Sequence, residues 1–150
     1  MPLPENVLSQ LATGLEHIHT KGLIHRNIKP ENVLIWVNPN NTKEVLMKWA
    51  DFGLSKPVNE RGSHSMSGVR GTDEWLAPEL LKILDDTAAN ADETKAKQRG
   101  TIQTDVFAEG LVFGYYLMGG VHLYGSGFDI PMNIKNNELK NLNGKSKLSA

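Results

Sequence analysis

Oxygen-bearing side chains that suit a hard metal ion occur in two short segments of this 150-residue sequence. The first segment is residues 25–32, HRNIKPEN, and the second is residues 51–53, DFG. Asn32 and Asp51 carry amide and carboxylate oxygens, which are the donors that Mg²⁺ prefers. A β-hairpin predicted between them would deliver the two side chains from opposite strands, so that they face each other. These residues therefore indicate a Mg²⁺ site.

Three motifs in a fixed order extend this pattern. HRNIKPEN is followed by DFG after a predicted strand pair, and by APE at residues 77–79 after a Ser-rich loop. This order resembles the signatures of protein kinases, namely the catalytic loop, the metal-binding triplet and the end of the activation segment. Residues 105–110, DVFAEG, resemble the start of the central helix of a kinase's larger lobe. The resemblance covers residues 3–125, which we expect to be a partial protein kinase domain.

The resemblance implies ATP-dependent phosphorylation of serine or threonine, because the KPEN sequence matches that class. ATP and Mg²⁺ would be the cofactors, with Asn32 and Asp51 holding the metal and Leu34 lying under the adenine. Lys29 would place a cation beside the transferring phosphoryl group. Thr72 matches the threonine that steadies the catalytic loop near the incoming hydroxyl.

A regulatory contact is also implied. Arg26 lies where kinases pair an arginine with a phosphorylated residue of the activation loop, and Arg–phosphate contacts are bidentate and strong. The candidate phosphorylation sites are Ser63, Ser65 and Ser67. Composition alone describes the same serines as part of an ordinary polar loop, so both interpretations stay open.

Four residues have structural roles by the same resemblance. His25 would pack under Phe52, and Asp105 would accept backbone N–H groups of the catalytic loop. The alternative for Asp105 is an ordinary charge at a helix N-terminus. Glu79 would pair with an arginine that lies further along a kinase chain, and we expect that arginine to be missing here.

Asn27 is the main departure from the kinase pattern. Active members have an aspartate at this position, which orients the substrate hydroxyl and accepts its proton. An amide can bond to that hydroxyl but cannot take the proton, and loss of a general base costs about 10²–10⁴ in rate. Because no Gly-rich loop precedes residue 25, we also expect the smaller N-terminal lobe to be absent and ATP to bind weakly, as in a pseudokinase fragment.

One branch of the kinases is favoured by three details: the long hairpin WVNPNNTKEVLMKWA, the wording of the activation segment, and residues 104–125, TDVFAEGLVFGYYLMGGVHLYG. Together they resemble the inositol-requiring endoplasmic-reticulum stress sensors, which join a kinase to an endoribonuclease in the unfolded-protein response. That resemblance implies a cytoplasmic location, facing the cytosol from the endoplasmic-reticulum membrane. Asn27 departs from the aspartate of that family too.

Apolar periodicity predicts which elements hold these residues. Val7, Leu8, Leu11, Leu15 and Ile18 predict an amphipathic helix over residues 4–21. Further elements are predicted as strands at residues 33–37 and 45–50, a short helix at 76–84 and a helix buried on all sides at 104–118. The fold class is therefore mainly α with a small β-hairpin, similar to the C-terminal lobe of a kinase alone.

Composition sets the remaining expectations. Lys plus Arg is 16 and Asp plus Glu is 17, so the net charge of −1 argues against direct nucleic-acid binding, and Cys is absent. The longest apolar run, residues 111–118, is far shorter than the ~20 residues that span a bilayer. Residues 85–103 are expected to be a disordered insertion. Residues 126–150 are expected to be a weakly structured tail, with at most a weak helix near residues 134–142.

A non-catalytic role is the alternative to an impaired enzyme. The chain would then be an interaction module that docks on a full-length kinase, or on a second copy of itself, through the activation segment or the face around Tyr115 and Tyr116.

Overall fold

The computed structural model describes residues 3–52, 56–57, 73–82 and 101–141. Its helices are α1 (Pro4–Thr20), α2 (residues 78–82 as described), α3 (Ile102–Leu117) and α4 (Asp129–Lys135). The strands are β1 (Leu23–Ile24), β2 (Val33–Asn38), β3 (Asn41–Trp49) and β4 (Lys56–Pro57), with 3₁₀ turns at Pro30–Asn32 and Asp73–Trp75. The prediction of a mainly α fold with a small β-hairpin is confirmed.

Helix α1 forms because its apolar residues return at every third or fourth position and all reach one core. Val7, Leu11, Leu15 and Ile18 are buried, and Pro4 occupies the first turn, where its missing N–H costs nothing. The observed helix ends at Thr20, one residue before the predicted end.

The hairpin of β2 and β3 is antiparallel and longer than predicted. Val33 pairs with Trp49 and Val37 with Val45, with an irregularity before Asn38. Because β3 begins at Asn41 rather than at residue 45, the turn takes only residues 39–40. A second pair, β1 with β4, joins two residues from each strand in antiparallel register.

Helix α3 begins with a reciprocal cap in which the Thr101 side chain accepts from the backbone of Thr104, and the Thr104 side chain accepts from the backbone of Thr101. Its buried side faces the core, but an exposed stripe runs along it: Gln103, Val106, Gly110 and Leu117. The prediction of burial on all sides is therefore wrong, because the helix packs as an outer element with one solvated stripe.

Helix α4 lies at Asp129–Lys135, and not at the predicted residues 134–142. Ile130 and Ile134 are 3% and 1% exposed and belong to the main core cluster, so this part of the tail is packed. Of the predicted insertion, residues 101–103 cap and begin α3, which corrects that boundary, and residues 85–100 lie outside the described residues.

The loop after α3 holds the segment that precedes α2. His122 Nε2 donates to the carbonyl of Glu74 at 2.7 Å, and its ring lies 4.7 Å from that of Trp75. Nδ1 of His122 accepts from the backbone N–H of Tyr124, and burial lowers the pKa of the ring, so both favour its neutral form. This cluster fixes the start of α2 against the core.

Candidate functional site

The loop of residues 25–29 leaves β1 at the point where the core, α3 and the hairpin meet. Gly22 makes the preceding turn with φ +78°, a left-handed conformation that glycine adopts without strain. Pro30 then begins the 3₁₀ turn that leads into β2. The turn at Gly22 and the 3₁₀ turn at Pro30 therefore fix both ends of the loop.

Asp105 anchors the loop to α3. Its Oδ2 accepts the backbone N–H of His25 at 2.8 Å, and its Oδ1 accepts that of Arg26 at 3.0 Å. His19 Nε2 lies 2.8 Å from the same Oδ2, and the carboxylate is only 2% exposed. Arg26 has φ +70°, a left-handed conformation that the two bonds help to hold. The predicted contact between Asp105 and the loop is thus present in the structure.

His25 is buried and oriented at both ring nitrogens. Nδ1 accepts the backbone N–H of Asn27 at 3.2 Å, and Nε2 bonds the carbonyl of Ala50 at 2.8 Å, which fixes the proton on Nε2. The ring packs against Phe52 with centroids 5.1 Å apart, as predicted. Phe52 itself is 47% exposed, so its other side is not covered by the described residues.

Hairpin pairing brings the backbones of the two predicted metal ligands close together. The carbonyl of Asn32 accepts the N–H of Ala50 at 2.8 Å, and Asp51 follows directly with φ +60°. The Asn32 side chain donates through Nδ2 to the carbonyl of Asn27 at 2.7 Å. Because the amide nitrogen is used in this way, the amide oxygen is the atom of Asn32 that suits a cation.

For three other predicted site residues, we describe only the exposure and the element that carries them. Leu34 is 62% exposed on β2, Lys29 is half-buried beside the 3₁₀ turn, and Glu79 is exposed on α2. Four lie outside the described residues, and their roles stay predictions: Ser63, Ser65, Ser67 and Thr72. In the described parts of the chain, no group of three His, Asp or Glu side chains is arranged to hold a metal ion.

Sequence reasoning assigned no functional role to two titratable residues beside this loop, His19 and Glu109. Glu109 is 8% exposed, and its Oε1 has no hydrogen-bond partner among the described residues. Burial raises the pKa of Glu109 to about 7; the charge of His19 opposes this rise and that of Asp105 adds to it. The available signal was a single carboxyl residue inside the apolar run of α3.

Comparison with known proteins supports the motif assignment. The pattern of the protein kinase domain family matches residues 3–147, which extends beyond the predicted limit of residue 125. The human serine/threonine-protein kinase/endoribonuclease IRE2 is 38% identical over 133 residues, which are 87% of this chain. The Schizosaccharomyces pombe sensor for unfolded proteins in the ER, ire1, is 37% identical over 141 residues, or 86% of this chain.

A plant kinase outside that group is similar over a shorter stretch. MAP3K epsilon protein kinase 2 of Arabidopsis thaliana is 40% identical over 86 residues, 55% of this chain and 6% of its own length. This chain spans about 13% of the length of the human and S. pombe relatives. None of the helices in the described parts is long and apolar enough to cross a membrane.

Proposed function

Because the chain belongs to the protein kinase family, we propose that it forms the larger lobe of a Ser/Thr kinase of the unfolded-protein response whose phosphotransfer is impaired. One observation carries the proposal. Asn27 occupies the position of the catalytic base within a loop whose other supports are intact, including the bonds to Asp105, His25 and Asn32. These bonds support the proposal that the loop keeps its arrangement for phosphotransfer but has an amide where a base is needed.

Asn32 and Asp51 would hold Mg²⁺ through their oxygens, with phosphate oxygens completing the coordination. Bound Mg²⁺·ATP supplies the phosphoryl group, and the metal neutralises its charge. Lys29 would contribute a further positive charge, and Leu34 an apolar surface under the base. Asn27 can orient a substrate hydroxyl by a hydrogen bond but cannot accept its proton, so phosphotransfer is slowed by the loss of the general base.

The link to the unfolded-protein response rests on one relative whose name states it and on a second that shares the kinase. The S. pombe relative is named as a sensor for unfolded proteins in the ER, and the human relative as a kinase/endoribonuclease. By this similarity we place the chain on the cytosolic side of that system. Arg26 would bind a phosphorylated serine of the activation loop, with Ser63, Ser65 and Ser67 as the candidates.

A segment exchange tests the catalytic part of the proposal. Residues 3–147 replace the matching segment of the human relative, and phosphotransfer from ATP is measured with and without Asn27→Asp. The substitution should raise the rate at least about tenfold, because it restores the base. An equal rate in both proteins would show that Asn27 is not the obstacle. Asn40→Asp, on the exposed hairpin turn, is the matched control.

Nucleotide binding is tested separately on the chain itself. A ligand that binds only the folded state raises its unfolding temperature, so Mg²⁺·ATP should raise the melting temperature. Asp51→Asn should remove this shift, whereas Asn40→Asp should not. No shift with the natural chain would contradict the assignment of Asn32 and Asp51.

The second candidate is a docking module, and the exposed hairpin favours it. Leu34 and Ile35 are each 62% exposed, and their neighbours Trp36 and Val37 are about half exposed, which is unusual for four consecutive apolar residues. The predicted docking face around Tyr115 and Tyr116 is half-buried. If this candidate is correct, the chain binds the kinase domain of its human relative without nucleotide.

The hairpin also provides a test of that candidate. Ile35→Asp should weaken binding to the kinase domain of the human relative, measured by analytical ultracentrifugation. Thr42→Asp, at the exposed start of β3, is the control for the same change of charge. Binding that is equally strong in both variants would exclude the hairpin as the docking surface.

A further inference from the structure

A groove of about 430 Å³ lies between α1 and α3, and His19, which is bonded to Asp105, is one of its lining residues. Its polar lining comes from both helices, and its remaining lining is mostly aliphatic: Glu16, His19, Thr20 and Glu109, with Ala12, Leu15, Ile102 and Val106. Neither the kinase motifs nor the proposed function assigns a role to this groove.

Glu109 is the unusual residue of the groove. It is 8% exposed, yet its Oε1 has no hydrogen-bond partner in the described parts of the chain. A buried, ionised carboxylate with one oxygen unpartnered is unfavourable, because that oxygen has lost water and gained no compensating bond. The group must therefore be neutralised by a proton or by a cation.

The charges around Glu109 favour a cation. His19 is already bonded to Asp105, so two buried carboxyl groups share one imidazole. Glu16 adds a third carboxyl group at the exposed edge of the groove. Burial raises the pKa of Glu109 to about 7, so near neutral pH a cation can replace its proton at little cost.

The lining also indicates which kind of cation fits. The His, Asp and Glu side chains of the described residues form no group of three that could hold a metal ion. Leu15, Ile102 and Val106 instead offer an aliphatic wall beside the carboxyl group. We propose that the groove binds a primary alkylammonium ion, with its head at Glu109 and its stem against this wall.

The experiment titrates the full chain with n-hexylammonium at pH 8 and measures the dissociation constant by calorimetry, with neutral 1-hexanol as the matched ligand. Hexylammonium should bind more tightly than hexanol, and Glu109→Gln should weaken it roughly tenfold or more, since a charge-assisted bond is lost. Glu5→Gln, which removes a charge from the exposed first turn of α1, should leave binding unchanged. Equal binding of the two ligands, or no effect of Glu109→Gln, would overturn the proposal.

A second variant tests the proposal even if the Glu109→Gln variant does not fold. Val106 is 52% exposed on the groove wall, so Val106→Trp should fill the groove and abolish binding while Glu109 remains. Unchanged binding in that variant would place the ligand elsewhere. Binding should also be weaker at pH 6 than at pH 8, because Glu109 must lose its proton to pair with the cation.

A further titration distinguishes two sources of the alkylammonium group. A free amine and a lysine side chain both present an ammonium on an alkyl stem. Nα-acetyl-lysine amide, whose side-chain ammonium is unmodified, is therefore titrated beside n-hexylammonium. Tighter binding of the free amine assigns a small metabolite, and tighter binding of the lysine derivative assigns a lysine of a partner protein. Binding of neither would overturn the proposal.

Discussion

Asp105 Oδ2 accepts the backbone N–H of His25 at 2.8 Å, although 80 residues separate the two in the sequence. Its second oxygen binds the next N–H, that of Arg26. One buried carboxylate on α3 therefore satisfies two consecutive donors of the loop, which would otherwise be costly to bury. These bonds hold the backbone directly before Asn27, which is itself bonded to His25 and Asn32.

Asp105→Asn should destabilise the chain by about 2–4 kcal/mol, because two charge-assisted bonds to buried N–H groups become weaker or are lost. The free energy of unfolding is measured by urea denaturation followed through the fluorescence of the buried residues Trp49 and Trp75. The control is Asp129→Asn, the same change in the exposed first turn of α4, which should cost less than about 1 kcal/mol. Equal losses would mean that Asp105 acts only as a helix-terminal charge.

The side-chain amide of Gln10 forms hydrogen bonds to the backbone of β3 through both its nitrogen and its oxygen. Nε2 donates to the carbonyl of Val45 at 3.0 Å, and Oε1 accepts the N–H of Met47 at 2.7 Å. Gln10→Ala leaves both backbone groups without this partner, so it should cost about 1–3 kcal/mol. Ser9→Ala, at an exposed neighbour, should change the free energy of unfolding by less than about 0.5 kcal/mol. A similar cost for both would show that water replaces the amide.

The sequence predicts the elements whose signals are local. The 3–4 spacing of apolar residues locates α1 within one residue of its observed end, and the ordered motifs assign Asn32 and Asp51 to one site through residue type and order alone. The contact of His25 with Phe52 follows from the same motifs. These predictions depend on short-range periodicity and on a strongly patterned family, so tertiary packing is not needed to make them.

Long-range partners explain what the sequence does not predict. Asn133 donates to the carbonyl of Tyr124 at 2.8 Å, and Tyr124 donates its hydroxyl to Asn137 at 3.0 Å. Asparagine-rich composition suggests a solvated tail, but here the amides satisfy the turn after α3 and α4 becomes part of the core. Glu109 was missed for a similar reason, because averaging over the apolar run of α3 hides one carboxyl residue.

Two glycines on one face of α3 give a matched pair of variants. A Cβ at Gly114 would lie 2.6 Å from Leu123 Cγ, whereas a Cβ at Gly110 would meet no atom of the described residues within 4 Å, apart from the backbone of its own helix. Gly110→Ala should therefore stabilise the helix by roughly 0.5–1 kcal/mol. Gly114→Ala gains the same helix preference but displaces Leu123, so it should destabilise by about 1–2 kcal/mol net. Thermal denaturation checks the signs, and stabilisation by both would show that Leu123 moves freely.

Glu109 gives a pH dependence with a defined sign. The groups facing it are His19 on α1, Asp105 on α3 and, at the groove edge, Glu16. In the folded chain its pKa is about 7, against 4.5 for the unfolded reference, so between these values the folded state binds more protons. The free energy of unfolding should therefore fall as pH rises from 4.5 to 7, and the contribution is fully present only below pH 4.5.

Glu109→Gln removes this slope, because the amide does not titrate. The difference in the free energy of unfolding between the variant and the natural chain should shift by about 3 kcal/mol in favour of the variant as pH rises from 4.5 to 8. Urea denaturation at several pH values measures this difference. The lowered pKa of His122 acts in the opposite direction as pH falls below about 6.5, but it is common to both proteins and cancels in their difference. A difference in stability that does not change with pH would show that Glu109 is ionised in the folded state throughout, paired with a cation or with His19.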